Sequence, residues 1–192
     1  YWLDIQEAIK GEEEYVIINI ANEPVGNNNA WQWMKMHQDA IQTLRNAGFK
    51  HTLMVDAPNW GQDWQHIMRD NARKIFNVDP QKNTIFSIHM YEVYDNYSDV
   101  NNYMSAFNRN HLALVVGEFG ADHYGKKVAY RTIMERANHY GFGYLGWSWK
   151  GNSHELKTLD LAKDWSGNQL TPWGQELMYY YQYGIYYSGP GP

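Results

Sequence analysis

At 192 residues with a net charge of -5 and a pI near 5.9, the chain is sized for about one domain. It carries no run of Lys or Arg that would make a surface for nucleic acid or an anionic membrane. No cysteine is present, which excludes a disulfide framework, a thiolate metal site and a thiol nucleophile; no apolar stretch approaches the roughly 18 residues of a membrane span.

Residues 1–10 place Trp2, Ile5 and Ile9 at helical spacing before Gly11, the end of an amphipathic helix with its stop. A strand is predicted over Tyr15–Ala21, a helix over Ala30–Ala47 stopped by Gly48, and a strand over Thr52–Asp56. A helix near Trp64–Phe76, the strand Thr84–Met90, a helix after Ser98 and the strand Leu112–Gly117 follow. The helix Lys126–Tyr140 ends at Gly141 before the strand Phe142–Trp149, and a last helix opens with Thr171 as N-cap and Pro172 as its first residue. The strands are short and nearly all apolar, as parallel strands covered on both faces are. Their starts recur at intervals of about 30 residues, the length of a βα unit. The predicted class is therefore parallel α/β, and no GxGxxG or GxxxxGK[ST] run marks a nucleotide site.

Five such units do not close a (β/α)8 barrel, which takes about 250 residues. The expectation is the second half or more of such a barrel over residues 1–183, its C-terminal portion, with 184–192 as a Gly/Pro tail or linker. Tyr1 stands without a starting Met or a signal-peptide pattern, so a continuation upstream is expected. The open sheet edges call for a complementary N-terminal fragment or for self-association.

Two strands end in carboxylates: Val16-Ile-Ile-Asn-Ile-Ala-Asn22-Glu23-Pro24 and Val115-Val-Gly-Glu118-Phe-Gly120. Loops at the carboxyl ends of parallel strands build active sites, and a pair of acids there is the minimum equipment for cleaving a glycosidic bond. A lone strand-end Glu is more often a solvated loop residue or a helix cap; two of them, with the neighbours below, favour chemistry. Asn22 is placed to reach a sugar hydroxyl, and Pro24 biases Glu23 toward extended backbone. His89 and Tyr91, two residues apart, share one side of their strand, as do Trp147 and Trp149. Trp60, after the strand Thr52–Asp56, serves as a sugar platform or as packing. Nine Trp and sixteen Tyr exceed what a core of this size needs, and exposed rings suit the apolar faces of sugars. Trp31 and Trp33 cannot share a helix face and read as packing or rim residues. The eight His show no HExxH or comparable spacing, so neither metal nor cofactor is expected.

Taken together, Ile20-Ala-Asn22-Glu23-Pro24, Val115-Val-Gly-Glu118-Phe-Gly120, Phe86-Ser-Ile-His89-Met-Tyr91 and Gly146-Trp147-Ser-Trp149-Lys150-Gly151 resemble glycoside hydrolase family 5 of the clan A barrels, and within it the bacterial endo-β-1,4-mannanases more than the cellulases. The resemblance covers essentially the whole chain. It implies a retaining two-glutamate mechanism with Glu23 on strand 4 as acid/base and Glu118 on strand 7 as nucleophile. It also implies His89 and Tyr91 on strand 6 and a strand-8 Trp beneath the sugar, for which Trp149 is favoured over Trp147 as nearer the strand end. The implied ligand is a β-1,4-linked polysaccharide, mannan or glucan, and the implied setting is secreted and extracellular in a bacterium. An endo-β-1,4-glucanase and a non-catalytic sugar-binding fragment stand as alternatives, because the family's Arg on strand 2 and His near strand 3 precede the part of the fold found here.

Overall fold

The computed structural model describes residues 1–188, which divide into two compact units: Tyr1–Ile88 with Phe107–Leu114, and His89–Ala106 with the chain from Val115 onward. Strand Thr84–Met90 and helix Tyr97–Arg109 each contribute to both.

The first unit runs α1 (Gln6–Ile9), β1 (Ile17–Asn19), a 3₁₀ turn (Ala30–Gln32), α2 (Trp33–Asn46), β2 (Thr52–Asp56), α3 (Ile67–Val78) and β3 (Thr84–Met90) as far as Ile88. β1 lies parallel to β2 with Ile17 opposite Thr52, and β2 parallel to β3 with Leu53 opposite Thr84. The Phe86 N–H donates to the Ala113 carbonyl at 3.0 Å. Ile18, Leu53, Val55, Phe86 and Ile88 are fully buried on the strands, and Trp33, Ile41 and Leu44 cover them from α2 at spacings of one helical turn or multiples of it. The Trp33 indole N–H satisfies the Asp56 carbonyl at 2.7 Å, which a buried indole requires. Trp31 is three-quarters exposed, so the two tryptophans divide between rim and core as their spacing demands.

A buried ion pair ties the N-terminal ends of β2 and β3 to the helices. Arg45, in the last turn of α2, makes a bidentate contact with Asp79 just after α3, 2.9 Å at both Nε and Nη2. Its remaining N–H groups reach the carbonyls of Phe49, His51 and Asn83. Burial alone raises the Asp79 pKa, but the Arg45 guanidinium, the Gln81 N–H and the Thr84 hydroxyl outweigh it and hold the group at about 2.

The second unit contains the end of β3, most of α4 (Tyr97–Arg109), β4 (Leu114–Phe119) from Val115, a hairpin of β5 (Asp122–His123) and β6 (Lys126–Lys127), and α5 (Tyr130–Tyr140). β7 (Gly143–Gly146), a 3₁₀ turn (His154–Leu159), α6 (Pro172–Tyr179) and α7 (Ile185–Ser188) complete it. β4 and β7 pair in parallel, Val115 opposite Gly143, with a register shift before Phe119 meets Gly146. Trp173 of α6 packs edge-on against Phe119 and Tyr130, both at 5.4 Å between ring centres. Gly146 lets Leu177 pack close to the strand: a Cβ would stand 2.4 Å from the Leu177 side chain, which would have to shift. α6 begins as expected, with Pro172 in its first turn and the Thr171 hydroxyl accepting the Gly174 N–H at 3.1 Å.

Several expectations are corrected. The predicted strands Tyr15–Ala21 and Phe142–Trp149 shorten to Ile17–Asn19 and Gly143–Gly146, and neither is covered on both faces: Ile17 is 52% and Leu145 55% exposed. Apolar character reflected strand type in general and not coverage at these two positions. The predicted helix Lys126–Tyr140 starts only at Tyr130, because Tyr124 and Gly125 both take left-handed backbone (φ 51 and 74) and turn the preceding residues into a hairpin. Within the expected tail 184–192, Ile185–Ser188 forms a helical turn, and residues 189–192 lie outside the described part. Among the described residues no helix is long and apolar enough to cross a membrane.

Candidate active site

In the first unit β1 delivers Asn22 and Glu23. Pairing continues past the strand through the Ile20 N–H to the Met54 carbonyl at 3.0 Å. The turn that follows is built on Asp56, fully buried at the end of β2. One of its carboxylate oxygens accepts the Glu23 N–H at 3.0 Å and the other the Asn19 amide at 3.2 Å. Glu23 therefore stands at φ 44, left-handed, and not in the extended conformation that Pro24 favours. A non-glycine residue in that region costs on the order of 1–2 kcal/mol, and such outliers concentrate at functional sites. Asn22 is exposed and Glu23 half-buried.

The same turn carries Trp60. Its N–H donates to the Val25 carbonyl at 3.2 Å, and its indole lies over Gly26, where a Cβ would approach the ring to 3.1 Å. Trp60 keeps 58% of its surface exposed. Trp64, read from sequence only as a helix residue, lies nearby in the same loop: it is half exposed, and its indole N–H donates to Asn27 at 2.9 Å. The signal was the repeat Asn59-Trp60-Gly-Gln-Asp63-Trp64, passed over because Trp64 was assigned to a helix that starts only at Ile67. Asp63 is that helix's acidic cap, accepting the N–H groups of Met68 and Arg69 at 3.0 Å.

In the second unit three predicted residues come together. The Tyr91 hydroxyl, just beyond β3, donates to Glu118 Oε2 at 2.9 Å. His89 Nδ1 stands 3.6 Å from the same oxygen. His89 and Tyr91 are buried and the Glu118 side chain is 13% exposed, so the carboxylate has a preset donor in a largely desolvated place. Beyond β7 the Trp147 N–H donates to the Phe119 carbonyl at 2.9 Å, which sets this tryptophan one residue from Glu118 across the ladder. The Trp147–Ser148 peptide is cis. Trp147 is 42% exposed, and its indole N–H is held by Asn152 at 3.0 Å. Asn152 is in turn fixed by Asp160, to which Lys150 is bound at 2.5 Å. Burial alone raises the Asp160 pKa, but Lys150 and the Asn152 donors bring it below the usual carboxylate value.

Trp149 sits differently. It packs on Gly167, where a Cβ would come within 2.4 Å of the ring, and lines a cleft of about 830 Å³ with Leu145, Leu161, Leu177 and Met178. The premise for favouring Trp149, that it lies nearer the strand end than Trp147, is corrected. The strand ends at Gly146, so the tryptophan nearest the strand end in the ladder is Trp147.

One further group was missed. His123, in the β5–β6 hairpin, stacks on Tyr91 with ring centres 4.5 Å apart at 27°, and its Nδ1 lies 2.5 Å from Glu92 Oε2.

A model of the cellulase family (glycosyl hydrolase family 5) matches residues 1–153. A mannan endo-1,4-beta-mannosidase of Cellvibrio japonicus (strain Ueda107) is 60% identical over 179 residues, 93% of this chain and 42% of that protein. The solved structure of a beta-mannanase from Thermomonospora fusca superposes with a TM-score of 0.93 at 46% identity, over 96% of this chain and 62% of that one. A mannohexaose complex of the Thermomonospora fusca enzyme gives 0.92 at 45%, over 97% and 61%. The chain thus spans less than two thirds of the relatives it matches, and its α/β fold is part of their (β/α)8 barrel. With the family model matching about four fifths of its length, the chain belongs to glycoside hydrolase family 5.

Proposed function

We propose that the protein carrying this chain is a retaining endo-β-1,4-mannanase. The observation that carries the reading is Glu118, desolvated at a strand end and held by the Tyr91 hydroxyl at 2.9 Å. In the first step Glu118 attacks the anomeric carbon, the glycosidic bond breaks, and Glu23 gives its proton to the departing oxygen. In the second, Glu23 takes a proton from the water that attacks the same carbon, and the bond to Glu118 breaks with its electron pair returning to the carboxylate. Tyr91 stabilises Glu118 whenever it is charged. Trp147 offers a face to the apolar side of a sugar, and Trp60 and Trp64 offer exposed ring faces of their own for further sugar units. Asn22 is the contact for a hydroxyl of the sugar undergoing cleavage.

A 60% identical relative named as a mannan endo-mannosidase favours mannan over glucan as the substrate. The test is hydrolysis of galactomannan against carboxymethyl-cellulose, with the anomer of the first product followed by proton NMR. Retained configuration with mannan preferred supports the reading. Inverted product removes the nucleophile role of Glu118, and preference for the cellulose derivative makes the protein a glucanase. Polymers of this size do not enter cells, so the enzyme acts outside its bacterium; finding it only in the cell fraction would overturn that. The uncovered strands β1 and β7 are sites for a complementary barrel fragment or for a second copy of the chain.

A further inference from the structure

We infer that Glu92 and His123 form a positioning pair that sets the Tyr91 hydroxyl against Glu118, an assignment that rests on the proposed nucleophile role. A phenol directs a hydrogen bond well only when its ring is fixed, and Tyr91 lies beyond the end of β3, where the ladder no longer fixes it. His123 covers one face of that ring at 4.5 Å. Glu92, the next residue in the chain, binds His123 Nδ1 at 2.5 Å, so Tyr91, Glu92 and His123 close a ring in which each limits the others.

His123 is itself anchored independently of Tyr91. The two-residue turn at Tyr124 and Gly125 fixes the hairpin, and Asp122 is tied to the Thr158 hydroxyl at 3.0 Å and to the Gly125 N–H at 3.3 Å. Tyr124 sets its ring at 60° to His123, 4.6 Å away. The hairpin thus acts as a backstop for a phenol whose other end touches the carboxylate. A surface histidine with only a structural role has no need of both a stacked catalytic-side tyrosine and a carboxylate from the residue beside it.

The test places 3-fluorotyrosine at position 91 of this chain and compares His123→Ala, which loses the stack and the Glu92 contact, with His123→Phe, which keeps a ring but not the Glu92 contact. The fluorine resonance is expected to shift and narrow in His123→Ala, as the ring gains freedom, and to return most of the way in His123→Phe. In a protein with turnover, kcat on galactomannan falls about tenfold in His123→Ala, as small misplacements of a catalytic group do, with KM within about twofold and partial recovery in His123→Phe. An unchanged fluorine signal in a folded His123→Ala overturns the assignment even where no turnover is measurable. So does a rise in KM at constant kcat, which would make His123 a sugar contact. Absence of turnover in the unmutated protein counts against the mannanase reading alone.

Discussion

Glu23 pays for its position with backbone strain, and Glu118 with desolvation; each can be measured. At φ 44 a Cβ is disfavoured, so Glu23→Gly and Glu23→Ala remove the same carboxylate but differ in backbone freedom. Both are expected to be inactive, and the glycine variant should be more stable than the alanine one by about 1 kcal/mol in urea unfolding. Equal stabilities would mean that the turn on Asp56 relaxes once the carboxylate is gone. For Glu118 the informative change is small. Tyr91→Phe deletes one donor to a charged acceptor, worth roughly 1.5–3 kcal/mol, so kcat should drop about 10- to 100-fold. Glu118→Gln removes the nucleophile altogether and should leave no measurable reducing-sugar release. A Tyr91→Phe enzyme at full rate would assign the 2.9 Å contact to structure and not to catalysis.

At the scale of elements, the helices and strands of the first unit are locked by Arg45 and Asp79, whose side chains are 3% and 0% exposed. Asp79→Asn leaves a buried guanidinium without its counter-charge and should cost about 3–5 kcal/mol, read as a lowered melting temperature. The pH dependence has a definite sign. The Asp79 pKa is lowered from 3.8 to about 2, so the folded state binds this proton less readily than the unfolded chain. The contribution, about 2 kcal/mol, is complete above pH 4 and disappears as pH falls through 2; an acid titration that shows the same loss in Asp79→Asn would remove the pair as its source. Arg45 and Asp79 were not legible in the sequence, since nothing local links residues on successive helices. The strands were, because runs such as Thr84–Met90 carry Ile, Phe and Met at most positions, and both ends of that strand fall where pattern placed them. The glutamates were legible for the same reason, as polar residues that end apolar runs. His123 and Trp64 were not: each sits where unexpected left-handed residues, Tyr124 in one case and Asn59, Trp60, Asp63 and His66 in the other, displace a helix start that periodicity put too early. Trp147 and Trp149 were both found but ranked by a strand end that lies three residues before the predicted one.

For the whole molecule the decisive features are the strands whose outer edges lack a neighbour in chain order. β7 exposes Leu145 and borders the 830 Å³ cleft lined by Leu161, Leu177 and Met178, while β1 leaves half of Ile17 in water. Unpaired strand backbone beside apolar side chains drives association. This polypeptide by itself is therefore expected to sediment as a dimer or larger species at micromolar concentration and to bind a hydrophobic dye. Substituting Leu145→Lys places a charge on the β7 edge, the device by which natural sheets discourage pairing, and should move the population toward monomer with little change in thermal stability, since a half-exposed leucine contributes little burial. A second polypeptide bearing the first three βα units of a family 5 barrel competes for the same edges. Mixed with this chain, it should suppress self-association and raise turnover of galactomannan together, because pairing at the strand edges removes the surface that drives association. A monomeric chain that binds no dye and gains nothing from the added polypeptide would show that β1 and β7 are satisfied within the chain itself.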